Sequence, residues 1–201
     1  MNNIRVHISA GNSKMGSVPS FSLPSGLTCS AEACKTCFCE GCYARKLERF
    51  RPSVHRAYAE NFALAREDLP ALEAYLNWYF ASPSAPRLFR VHVSGDFFSA
   101  DYLSMWLRVA ASHPDTRFLA FTKQYVLLQS VSVPANFRIV LSAWPGVELP
   151  AGLADRFPVA WMQDGRETRV PADAFPCSGN CAACGECWKL APLQNVVFRK
   201  H

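Results

Sequence analysis

"RLFRVHVSGDFFSADYLSMWLRVAASHPDTRFLAFTK", residues 87–123, changes rhythm twice. "RLFRVHVSG" reads as a strand that ends at Gly95. Ser99 stands where a helix N-cap belongs. Tyr102, Leu103, Trp106, Leu107 and Ala110 then recur at helical spacing over Ala100–Ala111. "TRFLAFTK" returns to a strand. Strand, helix and strand over this length make a βαβ unit, so the strands are expected to be parallel and the crossover right-handed. In such folds the chemistry collects at the carboxyl ends of the strands. Those ends carry Ser94, Gly95, Asp96, Thr122 and Lys123, joined further on by Trp144 and Asp164.

Outward from this unit the pattern repeats. Upstream, Ile4 to Ser9 alternates like a strand, and a turn-rich loop surrounds a short extended piece from Val18 to Leu23. Pro52-Ser53 opens a helix carrying Val54, Tyr58, Phe62 and Ala65 on one face. Pro70 ends it, and Ala71 to Phe80 forms a second helix with Leu72, Tyr75, Leu76, Tyr79 and Phe80. Downstream, a short helical piece from Val126 to Gln129 leads to strands in "FRIVLSAW", "PVAWMQD" and "NVVFRKH". Several βα units in a row predict an α/β sheet or a partial barrel. No internal repeat and no low-complexity tract divides the chain, so residues 1–201 are expected to form a single domain.

Half of the 201 residues are apolar, which suits one domain with its own core. No apolar run approaches the roughly 20 residues of a membrane span. The start "MNNIRVHISAGNSKMG" lacks the pattern of a secretory signal. A cytoplasmic protein with reduced thiols is therefore expected, without membrane partners. The cysteines number nine, an odd count that forbids complete internal pairing. The net charge is +5, and part of it is concentrated: Arg45, Lys46, Arg49, Arg51 and Arg56 face Glu48 alone. That stretch is either a solvated helix face plus a loop, or a patch for phosphates, nucleic acid or an anionic cofactor.

The cysteines lie in two runs near the two ends. In residues 177–187, Cys177, Cys181, Cys184 and Cys187 follow C-x3-C-x2-C-x2-C. Structural zinc sites usually pair two CxxC turns across a longer loop. Consecutive close spacing suits a larger object, as ferredoxin loops wrap a cubane. A 4Fe–4S cluster is the first reading, and zinc is the alternative. His201 is a further ligand candidate or a frayed terminal residue. In residues 29–42, Cys29, Cys34, Cys37, Cys39 and Cys42 offer one ligand more than a single site needs. A catalytic cubane takes three thiolates and leaves one iron open, whereas a structural one takes four; zinc is the alternative at this run too. Among the remaining polar residues, Asp96 can equally dress the N-terminus of the following helix. His92 reads as a hydrogen-bonded core histidine. Trp144, Trp161 and Trp188 read as core, and Lys123 suits an anionic substrate or simply solvent.

"GNSKMGSVPSFSLPSGLTC", "CYA", the 91–123 block, "CAACGECW" and "NVVFRKH" resemble the phage gene product 88-like family, from about residue 11 onward. More distantly, the order of Cys loop, helices, "VHVSGDF", helix and "LAFTKQ" is similar to radical S-adenosylmethionine (SAM) enzymes. That likeness implies an incomplete parallel βα barrel with Cys-rich loops near both ends. It implies an open 4Fe–4S cluster on Cys29, Cys37 and Cys42 and an auxiliary cluster on the C-terminal run. It further places Ser94, Gly95 and Asp96 where a Gly-Gly-Glu motif would hold SAM, and Thr122 and Lys123 where Thr-Asn would stand. Asp96 and Lys123 would then be the catalytic candidates, and a reductant protein a partner, with a small-molecule or nucleic-acid substrate. The departures are concrete: the first run has no C-x3-C-x2-C triplet, Gly-Gly-Glu is replaced, and the chain is short for a six-strand barrel with all its helices. Two other readings keep the cysteines without the radical reaction. One is a zinc-stapled nucleic-acid-binding or base-modifying protein, and the other a non-catalytic iron–sulfur sensor.

Overall fold

The computed structural model describes residues 5–30, 42–144, 148–163 and 170–199. Its strands are β1 (Ile8–Ser9), β2 (Ser20–Phe21), β3 (Leu88–Val91), β4 (Arg117–Thr122), β5 (Phe137–Ala143), β6 (Val159–Gln163), β7 (Phe175–Pro176) and β8 (Asn195–Arg199). Its helices are α1 (Tyr43–Phe50), α2 (Pro52–Glu67), α3 (Leu69–Phe80), α4 (Ala100–Ser112) and α5, the single turn Cys181–Cys184. Among the described residues the strands form one eight-stranded sheet in the order β1-β2-β3-β4-β5-β6-β8-β7. β1 and β2 are antiparallel, and every other pairing is parallel. β1 and β7 lie at opposite edges, so the sheet is open.

Period-2 alternation gives the sheet two unlike faces. Phe89, Val91, Phe118, Ala120, Phe137, Ile139 and Leu141 point to one of them. There they join Leu72, Leu76 and Phe80 of α3 and Tyr102, Leu103 and Trp106 of α4 in the larger core. Aromatic edges fill this layer, with Phe80 at 4.9 Å from both Phe89 and Phe118. Leu119, Val140, Ala160 and Val196 point the other way, to a smaller core with Met15, Val18, Trp188 and Leu190. Long helices thus pack on one face, and the N-terminal turn and the C-terminal cysteine segment on the other.

The central βαβ unit is as expected: Ser99 accepts a hydrogen bond from Tyr102 N at 3.2 Å, and β3 pairs parallel with β4. Four details differ from the sequence reading. β3 stops at Val91, because His92 takes a left-handed φ of 63° and turns the chain off the sheet. Pro70 starts a helix rather than only ending one; it lies in the first turn of α3, where its missing N–H has no intrahelical role, and Asp68 caps that turn through Ala71 N at 3.0 Å. Tyr43–Phe50 is a helix of its own. Phe175–Pro176 adds an edge strand, so β8 is inserted between β6 and β7.

Asn61 of α2 fastens the short first hairpin to the body. It is fully buried. Its Oδ1 accepts from His7 N at 2.8 Å, and its Nδ2 donates to His7 O at 2.9 Å and Ser22 O at 3.0 Å. Asn61→Leu keeps the volume and removes all three bonds. Each group left unpaired in the interior costs roughly 1–3 kcal/mol, so the urea midpoint is expected to fall with the slope unchanged.

Candidate functional site

Leaving the sheet at His92, the chain crosses β2 closely. Ser22 Oγ accepts from Val93 N at 3.2 Å and Ser94 N at 3.3 Å, and Leu23 N donates to Ser94 O at 3.0 Å. Gly95 follows with φ +80°, and a Cβ there would lie 2.6 Å from Thr28 Oγ1 and 2.7 Å from Leu23 Cβ. Only a glycine allows both that conformation and that approach.

Asp96 is buried, and its carboxylate is already engaged. Oδ1 accepts from Phe97 N at 2.8 Å and Thr122 Oγ1 at 2.6 Å, and Oδ2 accepts from Lys123 N at 2.8 Å. Its own N–H donates to Thr28 Oγ1 at 3.1 Å. Burial pushes its carboxyl above the usual range, against the downward pull of the Lys123 and Thr122 hydrogen bonds. The expected cofactor-binding group Ser94, Gly95, Asp96 and Thr122 is therefore assembled in one place, with Asp96 acting as the clasp between the ends of β3 and β4. The Lys123 ammonium lies 4.5 Å from the centre of the Trp144 ring.

Cys29 reaches the same place from the loop after β2. Its Sγ accepts from Gly26 N at 3.4 Å, and its thiol lies in the fields of Asp96, Lys123 and Cys42. Burial pushes it up to about 11, so without a bound metal it is a protonated thiol. Gln124 Nε2 donates to Thr28 O at 3.3 Å, holding that loop to the end of β4. Cys34, Cys37 and Cys39 lie outside the described residues, as do Asp164 and His201.

Glu48 belongs to this site, and the sequence reading missed it by counting it with a surface patch. It is buried, accepting from Ser25 N at 2.9 Å and Ser94 Oγ at 3.0 Å, with His55 Nδ1 at 3.5 Å from its other oxygen. The signal was its position four residues after Ala44, which puts both on the inner face of α1.

The C-terminal cysteines form a second locus on the sheet face opposite the long helices. Cys177 N donates to Val197 O at 2.9 Å, Cys181 N to Lys14 O at 2.9 Å, and Gly185 N to Cys181 O at 2.9 Å. Trp188 Nε1 donates to Phe89 O at 3.2 Å. A Cβ at Gly16 would meet Ala182 Cβ at 2.6 Å, so the N-terminal turn rests directly on α5. Cys177, Cys181, Cys184 and Cys187 all line one pocket, with Phe175 and Trp188. Among the described residues no group of three or more His, Cys, Asp or Glu side chains is arranged to hold a metal ion. The four cysteines thus line one pocket but, as placed, do not form a metal-holding group.

Arg90 lies close enough to this segment to interact electrostatically with three of its cysteines. Its Nε donates to His92 O at 3.1 Å, and its guanidinium is 4.1 Å from the centre of the Phe121 ring. Its charge is felt by Cys177, Cys181 and Cys187. Among the described residues no carboxylate pairs with it. Burial pushes Cys187 up to about 12, and Arg90 is the foremost influence in the other direction.

A mixed α/β protein, with a mostly parallel open sheet and two cysteine loci, is the class these features define. The model of the gene product 88 family matches residues 5–190, and the chain belongs to that family. It is similar to the Gene 88 protein of Mycobacterium phage L5, with 38% identity over 128 residues, covering 59% of this chain and 53% of that protein. The Gene 88 protein of Mycobacterium phage D29 matches with the same identity and coverage. The chain thus spans about half the length of the curated relatives it matches. No solved structure matches it. No helix among the described residues is long and apolar enough to cross a membrane.

Two measurements check the strand-end geometry. Gly95→Ala imposes a left-handed alanine on an occupied space, and strain of roughly 1–3 kcal/mol is expected in denaturant unfolding. His92 donates to or accepts from Tyr102 OH at 2.8 Å, and its Nδ1 has no partner. Burial, aided by Arg90, pushes it down to about 3. An unfolded histidine titrates near pH 6.5. The unfolded chain therefore binds the extra proton between about pH 6.5 and 3. The contribution of neutral His92 is complete above that window and is lost as the pH falls through it. His92→Gln is expected to flatten the slope of stability against pH within the window and leave it unchanged above.

Proposed function

We propose that this chain is an iron–sulfur cluster-binding protein and a radical-SAM-like enzyme. The observation that carries the reading is that Cys177, Cys181, Cys184 and Cys187 line one pocket and that three of them interact electrostatically with Arg90. Four thiolates around iron or zinc leave net negative charge, and burying charge is costly unless it is compensated. Arg90 supplies a cation there, and Lys14 adds its field at Cys181. A tetrahedral zinc ion draws its sulfurs to about 2.3 Å.

At the strand ends, Cys29 and Cys42 are the described ligand candidates for an open cluster, with Cys37 as the third. A cluster there would supply one-electron reductive chemistry, with SAM as cosubstrate and a reductant protein as electron source. The residues of the chain set the geometry: Asp96 fixes Thr122 and Lys123, Glu48 fixes Ser94, and Trp144 backs the Lys123 ammonium. Asp96 would act through the strand ends it joins, not as a free carboxylate. Long helices on one sheet face and the cysteine segment on the other support the finer reading of a partial barrel, its inner face filled.

Anaerobic purification with iron, sulfide and zinc counted per chain tests the proposal. Iron with sulfide is expected, and Cys184→Ser is expected to lose one cluster and stability together. Arg90→Met is expected to weaken metal retention about 10- to 100-fold against a chelator, as loss of an outer partner does, with Arg90→Lys closer to wild type. Colourless protein with stoichiometric zinc would overturn the cluster assignment. Iron without SAM cleavage under dithionite would overturn the enzyme and leave the sensor.

A further inference from the structure

α1 exposes the wrong residues for an ordinary surface helix. Ala44 and Glu48 face inward. Tyr43, Leu47 and Phe50, at i, i+4 and i+7, form a stripe that is 53%, 41% and 74% exposed. An amphipathic helix normally buries its apolar stripe. Here the stripe stands in water beside exposed cations: Lys46 at its edge, Arg45 and Arg49 further round the same flank, and Arg51 and Arg56 just beyond. Leu27, also exposed, precedes Cys29 in the neighbouring loop. The one acid of the stretch, Glu48, is turned inward onto Ser25 and Ser94, so it leaves the surface positive.

The face also borders the strand-end site. Cys42 is the residue before α1, Tyr43 OH donates to Val93 O, and Glu48 accepts from Ser94 Oγ. Tyr43 is anchored by its hydroxyl and leaves its ring open. The Arg49 guanidinium lies 6.0 Å from the Phe50 ring centre.

We infer that α1 is a docking face for single-stranded nucleic acid, and that the strand ends act on a nucleotide of that strand. Open aromatic faces among arginines are the platform on which unstacked bases sit while cations follow the phosphates. A duplex keeps its bases stacked and offers nothing to Phe50. A helix of eight residues, about 12 Å long, gives little apolar area to a membrane. The second half of the inference rests on the proposed enzymatic site, and the first half does not.

The test uses the full chain purified anaerobically, with its metal content measured beside binding. Fluorescence anisotropy of a labelled oligothymidylate, longer than the roughly 4–16 nucleotides of a single-strand site, is followed against salt. Wild type is expected to bind with a negative slope of log K against log salt. Arg45→Glu with Arg49→Glu is expected to flatten that slope by about 1.4, from about 0.7 for each lost contact. Phe50→Ala is expected to weaken binding roughly fivefold or more with the slope kept. Unchanged melting and metal content show that the variants fold. If the charge reversals unfold the chain, Arg45→Gln with Arg49→Gln replaces them. Metal-loaded wild type without salt-dependent binding overturns the docking face and leaves the cluster proposal standing. Tighter binding to duplex, to anionic vesicles or to polyglutamate overturns the single-strand assignment. Single-strand binding by protein without any metal sustains the docking face and overturns the enzymatic half.

Discussion

The carboxylate of Asp96 is the tie on which the strand-end region depends. Parallel strands do not meet in a hairpin, and the backbone pairing of β3 with β4 stops at Val91 and Ala120, so the chain beyond it needs another tie. Asp96 does so by accepting from Phe97 N, Thr122 Oγ1 and Lys123 N, while its own N–H holds Thr28. One residue, through its carboxylate and its own N–H, thereby brings together three segments that are distant in sequence. Cys29 follows Thr28 directly, so the same tie brings a thiol to the strand ends. A carboxylate offers about four lone-pair sites, and three of them are taken by these donors.

The second locus is inseparable from the fold for a different reason. The sheet needs cover on both faces, and α3 and α4 cover one. On the other, Cys177, Cys181 and Cys187 pack against the small core of Met15, Val18, Leu119, Val140 and Trp188. The cysteine segment therefore replaces a helix layer. Gly16 against Ala182 and Cys181 N on Lys14 O join the start of the described chain to its last cysteines. Trp188 Nε1, donating to Phe89 O, ties the cysteine segment to the sheet.

The strands and helices of the βαβ core were readable because period and capping agree there. Ser99, the alternation of "RLFRV" and the stripe of α4 all point the same way. β7 was not readable: two residues, one a proline, carry no periodic signal, and only pairing with β8 makes them a strand. The gathering of Ser94, Gly95, Asp96 and Thr122 followed from the rule for parallel sheets. The occupation of Asp96 by backbone donors did not, because no sequence pattern reports which N–H groups a strand end leaves free. Glu48 was hidden by its neighbours. Four cations and three large apolar residues around it suggest a surface, and only its helical phase relative to Ala44 shows that it turns inward.

Three buried or half-buried charges distinguish what the chain completes alone from what it leaves open. Asp96 is satisfied by three donors, and Glu48 by Ser25 N, Ser94 Oγ and the nearby His55 ring. Their charges are spread over hydrogen bonds supplied by the fold. Arg90 has one donated bond, to His92 O, and a ring beneath it, with no carboxylate among the described residues. A guanidinium carries five N–H donors, and an interior normally answers such a cation with an anion. The groups that face Arg90 instead are the Tyr43 hydroxyl and the thiols of Cys187, Cys181 and Cys177. Protonated, the thiols give it nothing to pair with; as metal-bound thiolates they are the missing anion. The fold thus completes Asp96 and Glu48 with its own hydrogen bonds, while Arg90 meets no carboxylate among the described residues, and this contrast is the physical support for the proposed metal site beside β3.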